Sequence, residues 1–224
     1  MKHRQIQSPD NETTRRILDA ATQVFAEVGF AGARVDSIAE RAGINKAALY
    51  YHIGGKEELY AEVLRNLVGD APEQGIKMIQ ATASPEDKLR LYIRNLAQFI
   101  ESRPSIAPIM LREMASGGQH LSEFLIQTML RIITTLAGIL AEGEQQGIFA
   151  PTIPMALHFM TMGSLIFFKI RELILAQRTD VPELVKMIWE KNLSGNVVEE
   201  IEKLILKSVK KTDLEGEITE EVAR

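Results

Sequence analysis

The sequence predicts an all-α protein, because apolar residues recur at helical spacing along the chain and no segment alternates as a β-strand does. Glycine and proline separate the helical segments, for example at Gly43, Pro72 and Gly117-Gly118. With 224 residues the chain can hold a small domain and a larger one, each with its own core. We therefore expect a helical protein of two domains.

Two short amphipathic segments, at about 36–42 and 46–52, are joined by Gly43-Ile44-Asn45. Two helices that cross steeply need a small residue where they touch and a turn residue that tolerates positive φ, and Ala39 and Gly43 meet these needs. Leu49 is expected beneath the second helix. The pattern predicts a helix-turn-helix, whose second helix fits the DNA major groove. The competing interpretation is a plain αα-corner.

The helix before this motif is predicted at about 12–28, and Gly29 is expected to end it. Apolar residues at helical spacing form its inner face. They are Ile17, Leu18, Ala21, Val24, Phe25 and Val28. This helix is expected to support the helix-turn-helix from behind.

Charge is distributed unevenly along the chain. The whole chain carries 26 basic and 30 acidic side chains, a net charge of −4. Residues 1–56 nevertheless hold eight basic and six acidic side chains, so the positive part contains the motif. The basic residues at 2–4 are expected either to contact DNA phosphates or to belong to a solvated tail.

Three segments resemble the DNA-binding domain of the TetR family of bacterial transcriptional regulators. They read RRILDAATQVFAEVGF (15–30), SIAERAGINKAALYYH (37–52) and KEELY (56–60). Where the family commonly has Phe, a polar residue or Pro, and then Ser or Asn before the lysine, this chain has Ile53-Gly54-Gly55. We predict a DNA-binding domain at 1–56, a helical effector-binding and dimerisation domain at 57–211, and a polar tail at 212–224.

The residues expected to contact DNA lie on the helix-turn-helix and at the start of the next helix. Lys46 is the candidate for reading guanine, although a lysine at a helix start binds phosphate as readily, and Ala47 and Ala48 are the candidates for contacting thymine methyl groups. The resemblance places Tyr50, Tyr51, His52 and Lys56 mainly on phosphates. The full set is Arg34, Ser37, Asn45, Lys46, Ala47, Ala48, Tyr50, Tyr51, His52 and Lys56.

A second copy of the chain is the expected partner, because one recognition helix covers only a few base pairs of a palindromic operator. The segment 153–176 is apolar on nearly every face but too short in its unbroken apolar run to cross a membrane, so no membrane partner is expected. In the TetR family the last two major helices form the dimer interface. The resemblance thus implies the interface residues Gly163, Phe167, Val197, Ile201, Leu204 and Ile205.

The larger domain is expected to bind an unidentified small molecule. Methionine and phenylalanine form adaptable apolar walls, although such residues are more often plain core. The candidate residues are Phe99, Arg103, Met110, Met114, Phe124, Met129, His158, Phe159 and Met162. Arg112, Glu113 and His120 are further polar candidates, with Arg112-Glu113 expected as an internal ion pair or as surface residues. The sequence does not distinguish a drug, a fatty acid, an aromatic metabolite or no ligand.

The motifs of an enzyme are missing from the sequence. It has no glycine-rich phosphate loop, no Ser/His/Asp signature, no metal-ligand spacing and no cysteine, and its four histidines are scattered. We therefore expect no catalytic residues, no metal and no cofactor. We predict a cytoplasmic, ligand-responsive regulator, most simply a repressor, that binds palindromic DNA as a homodimer. The alternative is a helical small-molecule carrier without sequence-specific DNA binding.

Overall fold

The computed structural model describes residues 9–177, 180–187 and 196–211. An isolated antiparallel bridge between Phe149 and Lys210 is the only β-pairing in these ranges, so the predicted all-α class is confirmed. Residues 183–187 are also helical. The basic residues at 2–4 and the tail 212–224 lie outside the described residues. The longer helices are α1 (Pro9–Gly32), α2 (Val35–Ala42), α3 (Lys46–His52), α4 (Lys56–Val68), α5 (Ala71–Gln80), α6 (Pro85–Glu101), α7 (Ile106–Ala115), α8 (Glu123–Gln145), α9 (Pro154–Gln177) and α10 (Val197–Val209).

The chain folds into two compact units. The first combines the chain up to Gly69 with Arg103–Thr128, and the second combines Asp70–Ser102 with the chain from Met129 onward. The predicted boundary after Lys56 therefore falls inside the first unit, because α4 and α7 both pack against α1. The assignment of functions to the ranges 1–56 and 57–211 stays a prediction.

The first unit has an apolar core beneath the helix-turn-helix. Phe25, Ile38, Leu49, Leu59 and Leu64 are fully buried there. This burial is the main contribution that holds the two short helices α2 and α3 in place, because helices of eight and seven residues are marginal alone.

The C-terminal end of α1 differs in part from the prediction. Gly29 has φ +72° and leaves the helical conformation as expected, but a further helical turn continues to Gly32. The prediction that Val28 faces inward is wrong, since its side chain is exposed. The side chain lies beside Gly32 instead, because the chain changes direction at Gly29.

The second unit is built from long apolar helices, with α6 packed against α5, α9 and α10. Ser84 caps α6 by accepting the backbone N–H of Asp87 at 3.1 Å, as its sequence predicts. The buried carboxylate of Glu202 in α10 pairs with Arg90 and Arg94 of α6. These ion pairs fix α10 on α6.

Among the described residues, α8 is long and apolar enough in length and composition to cross a membrane. Core helices of soluble proteins meet the same criterion. Gly143 near its end lies against the ring of Phe149, where an added Cβ would stand 2.0 Å from a ring carbon. The close approach of this ring to the helix backbone therefore requires glycine.

Candidate nucleic-acid interface

The turn between α2 and α3 is fixed by backbone and side-chain hydrogen bonds. Gly43 takes the left-handed conformation, with φ +66°, and the backbone N–H of Ile44 donates to the Ala39 carbonyl at 3.0 Å. The Arg16 guanidinium donates to the carbonyls of Ala42 at 2.5 Å and Gly43 at 3.2 Å. Arg16 thus satisfies the free carbonyls at the end of α2, a role that no sequence pattern indicated.

Helix α3 is held at its first residue and on its inner face. The side-chain oxygen of Asn45 accepts the N–H of Ala48 at 2.7 Å and caps the helix. Of the predicted DNA residues, Asn45 therefore has its carbonyl oxygen engaged in positioning the helix. Leu49 is fully buried, which leaves the opposite face of α3 to solvent.

The solvent face of α3 carries a cation and two aromatic rings. Tyr50 is 47% exposed and Tyr51 is 86% exposed, and the Tyr51 ring meets the His52 ring edge-on at 5.3 Å between centroids. Ala47 is exposed as well. The Tyr51 side chain projects into solvent, so the αα-corner interpretation, in which both tyrosines pack, does not account for it.

Lys46 forms an exposed ion pair with Asp36 of α2, its ammonium lying 2.9 Å from a carboxylate oxygen. The hydrogen bond and charge of Asp36 raise the pKa of Lys46. Arg34 and Ser37 are exposed at the start of α2, where free backbone N–H groups favour an anion. The exposed cations and helix start form a surface suited to phosphate oxygens.

Lys56 begins α4 after the Ile53-Gly54-Gly55 turn. Gly54 has φ +106°, and the Glu58 carboxylate accepts the N–H of Gly55 at 2.9 Å, so the turn has a defined shape despite its two glycines. The Lys56 ammonium lies 4.5 Å from the centroid of the Phe30 ring and 3.5 Å from the Ala31 carbonyl oxygen. Lys56 is thereby held against the end of α1.

The candidate effector residues do not all belong to one unit. Arg103, Met110, Met114 and Phe124 lie in the first unit, and Phe99, Met129, His158, Phe159 and Met162 lie in the second. Met114 and Phe159 have exposed side chains. The effector site stays a prediction.

His158 is a buried member of the second core. A ring nitrogen lies 2.6 Å from the hydroxyl oxygen of Tyr92. Burial lowers the pKa of His158 and raises the pKa of Tyr92. The pair therefore remains neutral at physiological pH, and His158 is a satisfied core histidine in this structure.

Arg112 and Glu113 bind different partners, so they do not form the internal ion pair; Arg112 is exposed, as the alternative prediction had it, whereas Glu113 is buried. Arg112 donates to backbone carbonyls of α1, while Glu113 is buried and accepts hydrogen bonds from Tyr60 and His120. Adjacent helical residues point in directions about 100° apart, so each contacts a different neighbour.

Helix α9 exposes an apolar stripe on the face opposite His158. We call these residues the α9 stripe, namely Ala156, Met160, Gly163, Phe167 and Ile174. Their spacing of three, four or seven residues places them on one side of the helix. Phe167 is 68% exposed, and an added Cβ on Gly163 would meet nothing within 4 Å. Such a stripe is typical of a protein–protein interface.

The predicted interface residues on α10 differ in burial. Ile201 and Ile205 are buried by the chain itself, since α10 packs on α6 and α9. Leu204 is 64% exposed and Val197 is half-buried. Leu204 and Val197 thus remain available to a partner, whereas the side chains of Ile201 and Ile205 are occupied.

No group of three or more metal-ligating side chains occurs among the described residues.

Two protein-family models match this chain. Residues 17–63 match the model for bacterial regulatory proteins of the tetR family, and residues 85–179 match that for the tetracyclin repressor-like C-terminal domain.

Individual relatives extend this match over most of the chain. The HTH-type transcriptional regulator RutR of Escherichia coli is 31% identical over 67% of this chain and 70% of its own length. The transcriptional repressor NicS of Pseudomonas putida is 28% identical over 70% and 76%. The structure of the regulator FadR from Bacillus subtilis in complex with stearoyl-CoA has a TM-score of 0.56 at 22% identity, covering 86% of this chain and 95% of FadR.

Proposed function

Because this chain belongs to the TetR family of bacterial transcriptional regulators, we propose that it is a ligand-responsive repressor that binds a palindromic operator as a homodimer. The chain is a helix-turn-helix transcription regulator of a non-enzymatic family. The observation that carries the proposal is the capped, anchored helix α3, with Lys46, Tyr50 and Tyr51 on its solvent face.

The chemistry of each side chain on this surface supports a role either in reading bases or in binding phosphates. Lys46, at the first position of α3, is proposed to leave Asp36 and donate to a guanine edge. Tyr50, Tyr51, His52 and Lys56 are proposed to hold phosphates, since hydroxyl and cationic groups bind phosphate oxygens without reading sequence. Arg34 and Ser37 would hold the phosphate at the start of α2.

A homodimer is proposed because one helix of seven residues reads too little sequence by itself. The α9 stripe, with Leu204 and Val197 of α10, is the proposed contact. It is apolar from Ala156 to Phe167, Arg171 lies on the same side before Ile174, and Gly163 would allow a second helix to approach closely. A two-fold dimer would present two copies of α3 to successive major grooves, about 34–36 Å apart.

Release by a small molecule is proposed as the control of DNA binding. The FadR structure holds stearoyl-CoA, and the half-buried Phe99, Met129 and Met162 of the second unit would contribute to an adaptable wall for an apolar or amphipathic effector. The effector would favour a state in which α4 holds the two recognition helices at the wrong separation. It can do so only by binding that state more tightly.

Repression is proposed because a dimer bound to promoter DNA excludes other proteins from it, and the relative NicS is a repressor. The proposed location is the bacterial cytoplasm, where the DNA is. Neither proposal requires a metal or a cofactor.

Selection of bound duplexes from a random DNA pool tests this function, with purified full-length protein at near-physiological salt. The expected result is a palindrome whose half-sites lie about one helical turn apart. Recovery of only unselective, salt-sensitive binding would contradict it and favour a small-molecule carrier. The recovered duplex then serves as the probe in a screen for effectors.

A further inference from the structure

The loop between α7 and α8, residues 116–122, is organised by one buried carboxylate. A side-chain oxygen of Glu113 accepts the backbone N–H of His120 at 2.6 Å, and the Glu113 backbone carbonyl accepts the N–H of Gly118 and the Ser116 hydroxyl, both at 2.8 Å. Glu113 is only 3% exposed. A buried carboxylate requires such partners, so the position of His120 is tied to Glu113.

The same carboxylate binds α4. The Tyr60 hydroxyl donates to the second oxygen of Glu113 at 3.1 Å. Burial and the charge of Glu113 raise the pKa of Tyr60, so its hydroxyl stays protonated and remains a donor at any physiological pH. The hydrogen bond joins α7 to the first turns of α4, the helix that Lys56 begins.

The His120 ring continues the contact to the end of α1. Its centroid lies 3.9 Å from that of the Phe30 ring, with the planes 26° apart. Phe30 is also the ring beneath the Lys56 ammonium, at 4.5 Å. Phe30 also meets the rings of Tyr60 at 5.2 Å and Phe25 at 6.2 Å, so His120 is one of three rings that support the ring beneath Lys56.

Arg112 fixes α7 at the same end of α1. Its guanidinium donates to the carbonyls of Glu27 at 2.7 Å and Ala26 at 3.3 Å, the groups that a helix end leaves free. An added Cβ on Gly29 would come within 3.1 Å of the Arg112 side chain. The contact is therefore close, and it lies immediately before Phe30 in the sequence.

We propose that His120 is a positioning residue for Lys56, so that the conformation of the α7–α8 loop sets how strongly this protein holds DNA phosphates. The inference rests on the proposed DNA contact of Lys56. A lysine side chain has several rotatable bonds, and a ring that holds its ammonium reduces the conformational entropy lost on binding phosphate. Removing the His120 ring loosens Phe30 and hence Lys56.

The α7–α8 loop would also let a ligand control DNA binding. The candidate effector residues Met110, Met114 and Phe124 flank the α7–α8 loop in sequence. A ligand that displaces the loop would release His120 from Phe30. Phosphate binding through Lys56 would then weaken without any contact between ligand and DNA-binding helices.

The test is a double-mutant cycle between His120 and Lys56 in the full-length protein. Affinity is measured for a mixed-sequence duplex at low salt and for any selected operator. We expect His120→Ala to weaken both by about two- to fivefold, as for the loss of one cation–π arrangement. His120→Phe keeps a ring on Phe30 and is expected to retain wild-type affinity. In the Lys56→Ala background, His120→Ala should cause no further loss.

A purely structural role for His120 gives different results. If His120→Ala weakened binding equally with and without Lys56, or if His120→Phe failed to restore affinity at an unchanged midpoint of thermal unfolding, the proposal would be overturned.

A readout without DNA separates this proposal from the proposed function. The rate of Lys56 acetylation by an amine-reactive reagent, followed by mass spectrometry, should rise in His120→Ala and not in His120→Phe. Failure of the pool selection with an altered acetylation rate would contradict the operator function alone. An unaltered rate of Lys56 acetylation in His120→Ala would contradict only the positioning role of His120.

Discussion

The two exposed helix surfaces of this protein, on α3 and on α9, differ in every property that selects a partner. The α3 surface is short, polar and aromatic, with Lys46, Tyr50 and Tyr51 toward solvent. The α9 stripe lies on a helix of 24 residues and consists of apolar side chains and a glycine. The first surface suits a hydrated polyanion and the second suits an apolar copy of itself.

The two proposed activities depend on each other. A short helix such as α3 gives a specific site only when a second copy reads the other half of a palindrome. The apolar α9 stripe is proposed to supply that second copy. Damage to the stripe should therefore remove sequence-specific binding although α3 is untouched.

The largest expected effect comes from charging the α9 stripe. Met160→Glu should give a monomer, because a carboxylate in an apolar interface is left unpaired. Operator affinity should fall by about 10²–10⁴, the advantage of two linked contacts. Analytical ultracentrifugation and operator binding measure the two effects.

The matched control for that variant is Met78→Glu. Met78 in α5 has a comparable exposure, 53% against 60% for Met160, and lies outside the stripe. The Met78→Glu substitution should leave both the dimer and the operator affinity unchanged. A Met160→Glu protein that remained dimeric would show that the interface is elsewhere.

The next effect separates sequence reading from phosphate binding on the α3 surface. Lys46→Ala should cost about 1–3 kcal/mol on the selected operator through the loss of a base contact. Binding to mixed-sequence DNA should change much less. Competition between the two duplexes measures the difference, and an equal loss on both would assign Lys46 to phosphate.

Two glycine substitutions in α8 test the packing of the helices away from the α3 surface and the α9 stripe. Gly143→Ala should destabilise the fold by about 1–3 kcal/mol, because its Cβ would overlap the Phe149 ring. Gly138→Ala in the same helix has open space and should stabilise by up to about 1 kcal/mol. Denaturant unfolding compares them. Equal stabilities would contradict the described packing of Phe149 on α8.

The smallest effect concerns the inner face of α9. Burial holds the folded pKa of His158 below its usual 6.5, so the neutral ring is favoured by folding. The stabilisation is present above that value and is lost as the pH falls through it toward the folded pKa. Between pH 7 and 5 the unfolding free energy should therefore decline less in His158→Gln than in the wild type. Parallel pH profiles would contradict this.

Local features were the part of the fold that the sequence predicted well. The pattern around Gly43 located α2 and α3, and Ser84-Pro85 located the start of α6, because caps and turn glycines act within a few residues. The same spacing predicted which residues of α3 face solvent. The sequence does not predict whether a neighbouring helix of the same chain or a partner covers an apolar face.

The failures have a common physical cause. Ile201, Leu204 and Ile205 share a helical stripe, but only the folded chain reveals that α6 and α9 cover the two isoleucines. Arg112 and Glu113 bind different partners because their neighbours come from distant parts of the chain. Arg16 holds the motif's turn through two carbonyls 26 and 27 residues away. Periodicity shows that a face is apolar or polar, and tertiary contacts decide its partner.

Cooperation between the two α3 surfaces is tested by comparing the selected palindrome with one that carries about five extra base pairs between its half-sites. This insertion rotates one half-site by about half a helical turn. If the α9 stripe fixes two recognition helices on one side of the DNA, affinity should fall to that of a single half-site. Unchanged affinity would contradict the account, because it would show that the two α3 surfaces bind independently.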